Sequence, residues 1–102
     1  MKGDSTEFRS YNPFGSKSVK VVKEVQVVFM DDKNNSLPIE GPANSVIVGI
    51  KNGTYYQERY FDEEGKPYLD IDYTDHGNPK RHPKVPHEHK WVDGKNGKRI
   101  RK

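Results

Sequence analysis

Apolar side chains recur at every second position through the first valine-rich stretch. Val19, Val21, Val25, Val27 and Phe29 fall on one side of the segment from Lys17 to Met30, and Lys20, Glu24 and Gln26 on the other. β-Branched residues at period two predict a strand, because stiff side chains fit a pleated surface. A bend or break is expected near Lys23. This segment is also the best place for a helix if the chain holds one, so the fold class reads as mostly β with an antiparallel sheet, or α+β. Ser45 to Lys51 is apolar at successive positions and predicts a central strand buried on both faces. Asn52-Gly53 predicts a tight hairpin into a third strand, Tyr55 to Phe61. The turn Asp62-Glu-Glu-Gly-Lys66 then leads to a fourth strand, Tyr68 to Tyr73.

Closing that second hairpin fixes its faces. With Phe61 opposite Tyr68, the pairs Tyr60–Leu69, Glu58–Ile71 and Tyr56–Tyr73 share a mostly apolar face. Arg59–Asp70 and Gln57–Asp72 share the other, polar one, and a slip of one residue would exchange the two. Asp70 is expected on a solvated face beside Arg59. Further along, short strands are expected at His89 to Asp93 and Lys98 to Arg101, around a turn at Gly94-Lys-Asn-Gly97. Trp91 and the tyrosines read as packing residues. Residues 1–16, with turn signals at Asn12-Pro13 and Gly15-Ser16, are expected to be a flexible N-terminal segment. Residues 17–102 are expected to form a single β-rich domain carrying a histidine-rich loop over 74–90.

Composition narrows the classes. At 102 residues there is room for one domain, and 30% hydrophobic residues make its core thin. The absence of cysteine removes disulfides and thiolate metal sites. No apolar run is long enough to span a membrane and no apolar leader is visible, so a cytoplasmic location, with no signal peptide and no membrane partner, is the expectation. The net charge of +3 hides a strong asymmetry: seven acidic residues against Arg59 and Lys66 give −5 over 52–75, and nine basic against two acidic give +7 over 76–102. A basic final quarter attracts phosphates.

The chemistry concentrates in one stretch. All four histidines, His76, His82, His87 and His89, lie within 76–89, preceded by Asp70, Asp72 and Asp75 and threaded with Lys80, Arg81, Lys84 and Lys90. Pro79, Pro83, Pro86 and Gly77 break it into loop. In extended backbone, His87-Glu-His89 places both imidazoles on one side, roughly 7 Å apart. Such a pair can act as acid and base on a phosphodiester or, with a carboxylate, ligate a metal. The interleaved cations favour an anionic substrate over a metal ion, so no cofactor is expected. His82, His87 and His89 are the candidate acid and base. Arg59, Lys80 and Arg81 are candidate charge stabilisers, with Lys84 and Lys90 as further phosphate contacts. Asp72 or Asp75 could orient a histidine.

The run Asp70-Ile-Asp-Tyr-Thr-Asp-His-Gly-Asn-Pro79, followed by Pro86-His-Glu-His-Lys-Trp91, resembles the C-terminal toxin domain of bacterial polymorphic toxins over roughly residues 55–91. It also resembles small phage and prophage proteins. The resemblance implies a toxin-like ribonuclease, with Asp72, His76, His82, His87 and His89 as the matching polar positions, RNA as substrate and an immunity protein as partner. Two other readings stand beside it: a non-catalytic phage or prophage accessory module that binds nucleic acid or protein, and a domain with a His/Asp metal site.

Overall fold

A computed structural model describes residues 18–73 and 86–102. The fold is mostly β: one mixed sheet of six strands, β1 (Glu24–Met30), β2 (Ser45–Lys51), β3 (Thr54–Phe61), β4 (Pro67–Asp72), β5 (His87–Asp93) and β6 (Arg99–Arg101), in spatial order β1-β2-β3-β4-β5-β6. β1 and β2 run parallel, and every other neighbouring pair is antiparallel. The only helical turn among the described residues is a 3-10 turn at Lys95–Gly97. No helix there is long and apolar enough to cross a membrane. The helical alternative for residues 17–30 is thereby removed for 24–30, and the strand begins where the bend was expected, just after Lys23. The segment 1–16, expected to be flexible, lies outside the described residues.

The hairpins follow their local chemistry. Asn52 and Gly53 both adopt positive φ (54° and 80°), the backbone a two-residue primed turn requires. The β3–β4 register pairs Gln57 with Asp72, Glu58 with Ile71, Arg59 with Asp70 and Tyr60 with Leu69, as period two predicts. It slips by a bulge only at Phe61, which faces Pro67 instead of Tyr68. In the turn between them, the Asp62 carboxylate accepts the Glu64 and Lys66 backbone N–H groups. Burial pushes its pKa upward, but these bonds and the Arg99 guanidinium outweigh that and hold it below the usual carboxylate value.

Each face of the sheet carries its own small core. On one face Val46, Val48, Tyr60, Leu69 and Ile71 pack with Val22. The other buries Met30, Leu37, Ile47 and Phe61. Leu37 belongs to the 31–44 connection, which Asp31 starts by accepting the backbone N–H groups of Lys33 and Asn34. That connection crosses over the second face, and the polar side of the β3–β4 hairpin is covered as a result. Asp70 and Asp72 are 0% and 2% exposed, so the expectation of a solvated face for Asp70 fails, although its pairing with Arg59 holds. In β1 the regularly spaced Val25, Val27 and Phe29 form the exposed side, and it is Met30 on the alternate side that is buried.

The first core also encloses a carboxyl group. Glu58 is fully buried and accepts the Tyr60 hydroxyl at 2.8 Å. Burial raises its pKa, with hydrogen bonds from Tyr73 and Tyr60 offsetting only part of the effect.

Candidate functional site

The site grows out of strand alternation. β5 pairs with β4 so that His87 stands opposite Asp72 and His89 opposite Asp70. Since directly opposed residues point to the same side, both imidazoles join Gln57, Arg59, Asp70 and Asp72 on the second face. The expected loop over 74–90 therefore ends earlier: His87 to Lys90 are strand. Pro86 sits immediately before β5, where a missing N–H costs the ladder nothing.

Asp72 is the centre. Its Oδ2 lies 3.2 Å from His89 Nε2, 3.8 Å from His87 Nε2 and 2.6 Å from Arg101 Nη2. Its Oδ1 accepts the Gln57 amide at 2.8 Å. The two imidazoles meet edge to face with centroids 4.9 Å apart. His89 Nδ1 lies 3.0 Å from the main-chain oxygen of Lys102, so oxygen atoms flank both of its ring nitrogens.

An ion-pair lattice supports this centre, buried at Arg59, Asp70 and Asp72 and open to solvent at Arg101. Arg59 clasps Asp70 through two parallel bonds of 2.8 and 3.0 Å and donates to the Leu37 and Pro38 carbonyls. Arg101 joins the two aspartates, reaching Asp70 Oδ2 through Nε at 2.9 Å as well as Asp72. Arg59 also stacks on Trp91 at 4.8 Å. Two carboxylates thus face two guanidiniums, and any protonation of His87 or His89 tips the cluster positive. Beside it a cavity of ≈ 200 Å³ is lined by Asn35, Ser36, Tyr56, Gln57, Arg59, Asp72 and Arg101.

Of the residues singled out in the sequence, the structure brings together Asp72, His87 and His89, with Arg59 one register position away. It separates Lys90, which is exposed and pairs with Leu69 on the opposite face of the sheet. His76, His82, Lys80, Arg81 and Lys84 lie outside the described residues, as does Asp75. Sequence reasoning missed Arg101, whose position in a basic run looks like a solubilising tail. The available signal was parity: Arg101 faces Trp91, which shares the side of His87 and His89. Gln57 had been paired with Asp72 but given no part in the site.

One oxygen of Asp72 and one nitrogen from each of His87 and His89 lie within 4.8 Å of one another, so the trio could also hold a metal ion. No family model, curated protein or solved structure matches the chain.

Proposed function

We propose that the protein is a small, toxin-like, metal-independent ribonuclease whose working groups are His87 and His89. The observation that carries this reading is the convergence of both imidazoles and Arg101 on the buried Asp72 carboxylate. Cleavage by the 2′-hydroxyl needs a base, an acid and a cation near the phosphate. His87 takes the 2′-OH proton as the 2′-oxygen bonds to phosphorus. His89 gives a proton to the departing 5′-oxygen. The products are a 2′,3′-cyclic phosphate and a 5′-hydroxyl. Asp72 holds the rings in place, and Arg101 balances charge on the five-coordinate phosphorus. The likeness to toxin domains points the same way.

The mechanism requires the nucleophile to belong to the substrate. An oligonucleotide with a single ribonucleotide among deoxynucleotides should be cut only after that residue, leaving a cyclic phosphate. Equal cutting of an all-deoxy strand would defeat the proposal.

A metal centre is the second reading, because Asp72, His87 and His89 form a nitrogen–nitrogen–oxygen donor set suited to zinc. It requires Arg101 to leave Asp72 Oδ2, where a cation would meet like charge. Elemental analysis of the purified protein and the effect of chelation on its melting temperature separate the two readings.

A further inference from the structure

Two strand positions beyond His89 lies Trp91, the single tryptophan of the chain. Its indole lines a second cavity, ≈ 210 Å³, with Ile39, Pro67, Glu40, Lys66 and Lys98 among the other walls. Arg59 covers a ring face at 4.8 Å and is not among the residues that line this cavity. The indole Nε1–H is buried and has no hydrogen-bond partner, so it is the rest of the residue, not this donor, that meets the cavity.

We infer that the Trp91 cavity is a nucleobase subsite, which seats the base next to the phosphate held at His87 and His89. The inference rests on the ribonuclease reading and deepens it. The walls suit a planar heterocycle: Ile39, Pro67 and Trp91 supply apolar contact, and the Glu40 carboxylate an acceptor for ring N–H or amino groups. At ≈ 210 Å³ the space falls below the roughly 300–1,000 Å³ of drug-sized sites, so it admits one base and leaves sugar and phosphate outside. Lys66 and Lys98 also line the cavity and supply positive charge for that phosphate, whereas Glu40 would repel it. Trp91 and His89 share a face about 7 Å apart along β5, so a base and its neighbouring phosphodiester can address both at once.

A lone tryptophan at the subsite makes its own fluorescence the readout, independent of catalysis. Titration of the full chain with each of the four ribonucleoside monophosphates should give a saturable change in emission for at least one of them, and ribose 5-phosphate should give none. Lys98→Glu should weaken the response severalfold. No saturable change with any nucleotide, or an equal change with ribose 5-phosphate, overturns the subsite. RNA cleavage without a nucleotide response sinks the subsite alone. A saturable nucleotide response in a protein that cleaves no RNA sinks the catalytic reading and leaves the base site standing.

Discussion

At the scale of single residues, the candidate site is a problem of charge in a covered place. Asp70 and Asp72 are as buried as the core valines, and they remain so because Arg59, Arg101 and Gln57 meet their oxygens. Removing one partner of a buried ion pair leaves the other uncompensated, a cost of about 3–5 kcal/mol. Arg59→Ala should therefore lower stability by that order in urea unfolding, because Arg59 holds Asp70 and two loop carbonyls together. Glu58 is a different case. Its pKa is raised on folding, so the folded state binds more protons than the unfolded one above the ordinary glutamate value. Stability then falls as pH rises from that value toward the folded pKa, and the loss persists above it. Glu58→Gln should be more stable than the parent at neutral pH, with the advantage shrinking toward pH 4, as melting temperatures across that range would record.

At the scale of elements, the local hairpins were legible and the long-range pairing was not. Asn52-Gly53 and the alternation of Tyr60, Glu58, Leu69 and Ile71 set the turn and the faces of β2 to β4, because those signals act over neighbouring residues. The placement of His87 opposite Asp72 depends on β5 docking against β4, and no local pattern specifies that register. The prolines of the intervening stretch also hid the start of β5. His-x-His alternation did reveal that the two imidazoles share a side, but their carboxylate partner could be named only among several aspartates. The covering of Asp70 and Asp72 was not foreseeable either, since it depends on a turn-rich connection folding back over the polar face. That covering can be tested at Gly65. This residue has φ +78°, and an added Cβ would lie 2.4 Å from the Gly41 carbonyl oxygen, where the 31–44 connection meets the β3–β4 turn. Gly65→Ala should cost about 1–3 kcal/mol, from the strained backbone and the displaced loop.

At the scale of the whole molecule, a thin sheet with a small core on each face leaves function to its covered polar side and its basic end. The charge split between 52–75 and 76–102 falls on neighbouring strands, so part of it is spent internally. Arg99 meets Asp62 at 3.0 Å, and Arg101 meets Asp70 and Asp72. The excess remains on residues such as Lys95, Lys98 and Lys102, all exposed. RNA binding should accordingly weaken as salt rises, with a log–log slope of about −0.7 for each phosphate neutralised on a single strand. A flat response would remove the basic end from the interface.

The central claim is cleavage by two imidazoles without a metal. It is tested most directly by incubating a single-stranded RNA in EDTA with the wild type, His87→Ala and His89→Ala, each variant first verified as folded. The account expects cleavage by the wild type, and a loss in rate of about 10²–10⁴-fold when either histidine is removed. An inactive wild type, or variants that cleave at the wild-type rate, would contradict it.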